Sequence, residues 1–312
     1  MSTREQRITL LGGSGFVGRE LVARFARAGY RLRVLTRHAS SCRHLAVLPQ
    51  VECVVTNVHD GAALERHFAG SDVVINLVGI LNERGFSGRG FVEAHAELTR
   101  KVVTACIQAR VPRLLQMSSL GAALDAPSHY LRSKGLAERY VKESPATLAW
   151  TIFRPSVIFG PHDSLLNRFA SLLALSGGIM PLARAEARFA PVWVGDVASA
   201  FERALQDEAT VGRSYDLCGP RRMSLRELVE YVGELTGRPA KVLALPDFVG
   251  KLQARIMDFV PGKPFSSDNF RSLSVDNVSD QDGLGELGIA ATALETIAPT
   301  YLGSRRRGTI RE

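Results

Sequence analysis

Short apolar runs alternate with amphipathic segments along the first half of the chain. Ile8, Leu10 and Leu11 form the first run and predict a strand, after which Val17, Leu21, Phe25 and Ala28 recur at helical spacing. Further strands are predicted at Arg31–Thr36, Val51–Val55, 72–78 and Arg113–Met117, with helical patterns at 62–68 and 91–109 between them. A succession of βα units of this kind implies an α/β chain built on a doubly wound parallel sheet. The second half is less regular: 163–176 and 225–236 read as helices separated by glycine- and proline-bearing loops.

The junction of the first strand and helix carries the sequence Gly12-Gly13-Ser14-Gly15-Phe16-Val17-Gly18. Gly12 suits a tight turn, Gly15 lets backbone approach a pyrophosphate, and Gly18 lets the helix pack closely on the strand while its free N–H groups face the anion. In such sheets ligands lie at the carboxyl ends of the strands, so the residues immediately after each strand are the candidates for chemistry.

After the second strand comes Thr36-Arg37-His38, with no acidic side chain to hold a ribose 2′-hydroxyl. Arg37 offers a fork of donors suited to a 2′-phosphate, which favours NADP(H) over NAD(H). The fourth strand ends in Leu77-Val78-Gly79, where the missing side chain leaves room for a nicotinamide ring. The fifth ends in Ser118-Ser119, followed by Tyr130 and Lys134 at the start of a helix. Four residues apart, Tyr130 and Lys134 share one face. An ammonium so placed is expected to lower the phenol pKa from about 10 toward neutrality, and Ser119 to hydrogen-bond a substrate oxygen.

These residues resemble an extended or atypical short-chain dehydrogenase/reductase of the NAD-dependent epimerase/dehydratase group. The glycine turn, Asn76 to Gly79, Ser118-Ser119, Tyr130 with Lys134, Arg154-Pro155-Ser156-Val157-Ile158-Phe159-Gly160-Pro161 and Pro191-Val192-Trp193-Val194-Gly195-Asp196-Val197-Ala198 match the motifs of that group in order. Within it, the short interval from Ser119 to Tyr130, His95, and Ser267-Asp268-Asn269-Phe270-Arg271-Ser272-Leu273 are most similar to the branch of the NADPH-binding accessory subunit of respiratory complex I and its bacterial relatives.

The resemblance implies a Rossmann-type NAD(P)-binding domain over 1–160, with 196–218 returning to it, and a smaller substrate or partner lobe over 161–195 and 219–312. It implies catalytic roles for Ser119, Tyr130 and Lys134. Cofactor contacts are implied at the glycine turn, Arg37, Asn57, Val58, Leu77, Val78, Gly79, Met117, Ser118, Tyr130, Lys134, Pro155 and Val157. Two departures stand out: Asn57 replaces an aspartate that in many members contacts adenine, and His95 replaces an asparagine that completes the catalytic set. Ser119 is followed by Leu120 and Gly121, not by the acidic pair of the dehydratases, which disfavours sugar dehydration.

Composition narrows the picture. The 312 residues are 46% hydrophobic, with a net charge of +8 and Arg/Lys scattered except for Arg305, Arg306 and Arg307. No basic patch is interleaved with aromatics, so nucleic acid is not an expected partner. Cys42, Cys53, Cys106 and Cys218 are widely spaced and read as buried thiols in a reducing compartment. No apolar leader precedes the first strand and no apolar run approaches a membrane span, so a cytoplasmic location is expected. His129, His162 and Asp163 lack metal-ligand spacing, and no metal is expected.

Two functions follow. One is an NADP(H)-dependent oxidoreductase or epimerase acting on a small molecule, with a quinone or isoprenoid-linked substrate suggested by the bacterial relatives. The other is a non-catalytic NADPH-binding accessory or assembly protein of a respiratory or quinone-biosynthesis complex. In the segment 246–260, Phe248, Leu252, Ile256, Phe259 and Val260 form one apolar face, with Lys251, Arg255 and Asp258 largely off it. The simplest reading packs this face on the core of the lobe. The alternative docks it on the inner face of a membrane through anionic lipid.

Overall fold

A computed structural model describes residues 6–303; Arg305, Arg306 and Arg307 lie outside the described residues. The chain divides into two compact units, residues 1–154 with 197–215, and residues 155–196 with 216–312.

The first unit is organised by strands β1 (Arg7–Leu11), β2 (Arg31–Thr36), β3 (Val51–Val55), β4 (Val73–Asn76), β5 (Arg113–Met117) and β6 (Ala149–Pro155). With the strand Arg213–Leu217 they form a seven-stranded sheet in the order Arg213–Leu217, β6, β5, β4, β1, β2, β3. The pairings from β6 across to β3 are parallel. Parallel strands are covered by helices on both faces, which is why β4 reads as an unbroken buried run, Val73-Val74-Ile75-Asn76. The strand order reverses between β1 and β4, creating the crevice where such sheets take ligands.

Helix α1 (Phe16–Arg27) buries Gly18, Leu21, Val22, Phe25 and Ala26 along one stripe. Helix α2 (Gly61–Phe68) starts at Asp60, whose carboxylate accepts from the amides of Ala62 and Ala63. The pattern predicted as one helix over 91–109 is three pieces: a short α3 (Arg89–Phe91), a π-helical segment Val92–Glu97, and α4 (Leu98–Gln108). Helix α5 (His129–Lys142) is capped by Ser128 through the Leu131 amide. Leu11, Leu35, Val74, Leu98, Val102 and Leu114 are among the residues that fill the core between these elements.

One sequence expectation is corrected here. Cys42 and Cys53 are joined by a disulfide and are not separate thiols. The 3-10 turn Ala39–Cys42 folds back from the end of β2 against β3 and brings the two Cα atoms within 6.4 Å. Cys106 remains a buried thiol, and Cys218 is half-buried.

The second unit has a core of its own, in which Phe159, Leu166, Leu173, Leu228, Val229, Val232, Leu294 and Leu302 pack together. Its helix Leu225–Leu235 begins with a capping box, in which Ser224 and Glu227 each accept from the other's backbone amide. The helix Asp247–Met257 buries Gly250 and Ala254, and a Cβ at Gly250 would lie 2.7 Å from that of Ala183. This close approach turns the small residues inward and the large ones outward. Phe248 is 76%, Leu252 57%, Ile256 57% and Phe259 80% exposed. The large apolar face predicted from sequence therefore lies at the surface and does not pack on the core of the unit. No helix among the described residues is long and apolar enough to cross a membrane.

Candidate functional site

At the crevice of the first unit, the turn after β1 meets the turn after β4. Gly12 has φ +78°, a backbone conformation that glycine adopts without strain, and a Cβ there would press on the Leu77 and Val78 backbone at 3.1–3.2 Å. The Gly15 amide closes the turn on the Gly12 carbonyl at 3.0 Å. Gly18 is sterically obligatory: a Cβ would sit 2.4 Å from the Gly12 carbonyl oxygen. The first turn of α1, entered from Gly15, carries no acidic residue, so its amides and the helix dipole favour an anion. Ser14 is half-buried and Gly15 exposed, and Phe16 and Val17 open the helix half-buried.

Asn76 fixes the neighbouring turn. It is buried at the end of β4, donates to Thr99 Oγ1 at 3.3 Å and Gln116 Oε1 at 3.0 Å, and accepts from the Val78 amide at 3.2 Å. The Leu77 amide reaches across to the Leu11 carbonyl at 3.0 Å. Leu77, Val78 and Gly79 are thereby held beside Gly12.

Ser119, Tyr130, Lys134 and Gly79 are brought together. Tyr130 is hydrogen-bonded to Ser119. Lys134 is buried, donates to the Met117 carbonyl at 3.4 Å, and has its Nζ 3.3 Å from where a Gly79 Cβ would be. Burial lowers the Lys134 pKa to about 8, against the opposing pull of Glu138. The expected fall of the Tyr130 pKa is not what the structure gives: burial raises it, and the Ser119 hydrogen bond only partly opposes this. Spacing alone suggested a phenol tuned by the neighbouring ammonium, whereas desolvation of the phenol dominates.

Glu138 is the residue that the sequence reading missed. It continues the Tyr130, Lys134 face by one more turn, which was the available signal. Its buried carboxylate accepts from Ser118 Oγ and Arg154 Nε, each at 2.7 Å, and from Lys142 Nζ at 3.1 Å. Burial pushes its pKa up, but Arg154, Ser118 and Lys142 together hold it below the usual value.

The remaining candidates lie further out. Arg37 is exposed just after β2, Asn57 accepts from the His59 amide at 3.0 Å, and Val58 is buried. Arg37 and Lys101 both act electrostatically on His59, whose pKa is lowered first by burial and then, against Glu93, by these cations. Pro155 and Val157 belong to the second unit, where the Val157 amide donates to Asn277 Oδ1 at 2.9 Å. Among the described residues no group of three or more His, Cys, Asp or Glu side chains is placed to hold a metal ion.

Comparison with known proteins agrees with this geometry. The profile of a family described as NAD(P)H-binding matches residues 12–164. The chain is 31% identical over 318 aligned residues to NADH dehydrogenase [ubiquinone] 1 alpha subcomplex subunit 9, mitochondrial, of Arabidopsis thaliana, covering 96% of this chain and 78% of the relative. It is also 31% identical over 194 residues to a ceramide reductase of Caulobacter vibrioides, covering 62% of this chain and 58% of that protein. Among solved structures, a double mutant of the dTDP-glucose 4,6-dehydratase of Streptomyces venezuelae superposes with a TM-score of 0.77 at 17% identity, over 97% of this chain and 98% of the other. The chain belongs to the NAD(P)H-binding family that includes NADH dehydrogenase [ubiquinone] 1 alpha subcomplex subunit 9, and it shares the fold of the dTDP-glucose 4,6-dehydratase.

Proposed function

We propose that the protein is an NADP(H)-dependent oxidoreductase or epimerase in which Tyr130 moves the proton. The observation that carries this reading is the cluster of Ser119, Tyr130 and buried Lys134 against Gly79, where only glycine leaves the space above Lys134 Nζ open. The cradle fits a dinucleotide: the α1 amides suit a pyrophosphate, and Arg37 beside His59 and Lys101 suits a 2′-phosphate. When bound, NADP(H) supplies or accepts hydride. The chain's own residues do the rest. Ser119 orients the substrate oxygen, Tyr130 gives or takes the proton there, and Lys134 holds the ribose hydroxyls. The second unit serves as the substrate or partner lobe.

A second reading is supported by the Arabidopsis relative, named as a subunit of NADH dehydrogenase: NADPH is held for structure in an accessory or assembly protein. Both readings suit a site of action at a membrane surface, because the exposed helix Asp247–Met257 combines Phe248, Leu252 and Ile256 with Lys251 and Arg255. A hydrophobic carbonyl compound, quinone or isoprenoid-linked, is the substrate class such a location supplies.

The test is NADPH turnover against a panel of quinones and hydrophobic ketones, with Tyr130→Phe alongside. The expected result is a substrate for the wild type, with Tyr130→Phe binding NADPH nearly normally but losing about a hundred-fold or more in turnover. Turnover by Tyr130→Phe at the wild-type rate overturns the catalytic role. Tight NADPH binding with no turnover across the panel moves the weight to the accessory reading.

A further inference from the structure

His95 lies in the π-helical segment Val92–Glu97 and is buried. Segments of this kind shift the side chains that follow them around the helix, and they recur at functional sites. Here the ring bridges two parts of the site. Its Nε2 accepts from the Ile80 amide at 3.0 Å, on the turn that carries Gly79. Its Nδ1 is 2.8 Å from Ser133 Oγ, and that hydroxyl donates to the Tyr130 carbonyl at 2.7 Å. Since Nε2 is occupied as an acceptor, the ring proton sits on Nδ1 and is donated to Ser133.

The ring's faces and edges are also committed. It meets the Tyr130 ring edge-on at 5.4 Å, and Phe91 stands 5.9 Å from His95 and 6.0 Å from Tyr130. A Cβ at Gly79 would be 3.5 Å from Nε2. A second proton on the ring would set an N–H against the Ile80 N–H. Burial, and after it the nearby Lys134, hold the His95 pKa well below its usual value.

We propose that His95 is a positioning residue: one neutral imidazole ties the Gly79–Ile80 turn to the first turn of α5 and so sets the gap in which a nicotinamide ring and Tyr130 meet. This role rests on the dinucleotide reading given above. An asparagine side chain is shorter and lacks the reach of Nε2, so the contact to Ile80 is a property of the histidine.

Two measurements test it. Long-range 1H–15N spectra at pH 7 are expected to show His95 with a bare Nε2 and a protonated Nδ1; an Nε2–H tautomer or an imidazolium overturns the proposal. Nucleotide titrations then compare wild type, His95→Phe and His95→Gln. His95→Phe keeps the ring volume but leaves the Ile80 amide without its acceptor, and is expected to bind NADPH about ten-fold more weakly. Affinity for 2′,5′-ADP, which lacks the nicotinamide end, is expected to stay unchanged. His95→Gln, with an acceptor oxygen of similar reach, is expected to restore most of the NADPH affinity. Equal NADPH binding by wild type and His95→Phe overturns the His95 role alone, as does a parallel loss of both ligands. A wild type that binds neither nucleotide overturns the dinucleotide reading and this role with it.

Discussion

Ser118 donates its hydroxyl to the buried carboxylate of Glu138 at 2.7 Å, tying the end of β5 to the middle of α5. Arg154 donates to the same carboxylate from the end of β6. Ser119 and Lys134 are thus set on either side of a fixed ion pair. Removing the charge leaves the half-buried Arg154 guanidinium facing a neutral amide, so Glu138→Gln is expected to lower stability by about 2 kcal/mol. The pH dependence has a definite sign. The Glu138 pKa is lowered on folding, so its contribution is present above the ordinary carboxylate range and fades as pH falls through the lowered value. Urea unfolding of wild type and Glu138→Gln at pH 7 and pH 3 checks this: the gap between the two is expected to shrink at pH 3, and a gap that is constant or absent refutes the arrangement.

Much of the fold was legible because parallel strands are covered on both faces and so appear as apolar runs, as with Val73 to Ile75. The glycine turn was legible because its steric demands are local, down to the contact that Gly18 would make with the Gly12 carbonyl. The spacing of Tyr130 and Lys134 was legible for the same reason. What stayed hidden depends on distant partners. Glu138 looks like any surface glutamate until Ser118 and Arg154 arrive from other strands. The Tyr130 pKa follows from burial, which no spacing reveals, and the Cys42–Cys53 link follows from a turn whose course has no strong signal in Ala39–Cys42.

Lys134 carries a stability cost that function accounts for. Burial lowers its pKa to about 8. The unfolded chain holds that proton to about pH 10.4, so between these values folding releases a proton and the penalty is relieved as pH rises. Lys134→Met is therefore expected to be more stable than wild type at pH 7, by on the order of 2 kcal/mol, while binding NADPH more weakly. The stability advantage is expected to narrow by pH 9.5. Thermal melts from pH 7 to pH 9.5 check it; a variant less stable than wild type at pH 7 shows that the ammonium is net stabilising in place.

Arg37 stands exposed where an acidic residue would select NAD. A charge-assisted contact to the 2′-phosphate is worth about 1.5–3 kcal/mol, which sets the expected preference for NADPH over NADH at ten-fold or more. Arg37→Ala is expected to remove most of that preference and leave NADH affinity unchanged. Fluorescence titration of both cofactors checks this, and equal affinities in the wild type refute it.

The exposed face of the helix Asp247–Met257 sets the last expectation. Phe248, Leu252 and Ile256 project from one side, and Phe259 follows just beyond the helix end. Gly250 and Ala254 form the side that packs inward, so turning the apolar face into the core would break the contact with Ala183 and Phe270. Lys251 and Arg255 flank the exposed residues and give the face a charge complementary to anionic lipid. Each such cation contributes about 1 kcal/mol at an anionic surface, and the phenylalanines add burial at the boundary between headgroups and acyl chains. The protein is expected to float with vesicles rich in phosphatidylserine at low salt and to be released as salt screens the electrostatic part. Phe248→Ser combined with Phe259→Ser is expected to abolish flotation without changing the melting temperature, because both side chains are already in solvent. Absence of flotation with any vesicle at low salt refutes membrane docking. A dimer in sedimentation that the same double substitution splits assigns the face to a second copy of the chain instead.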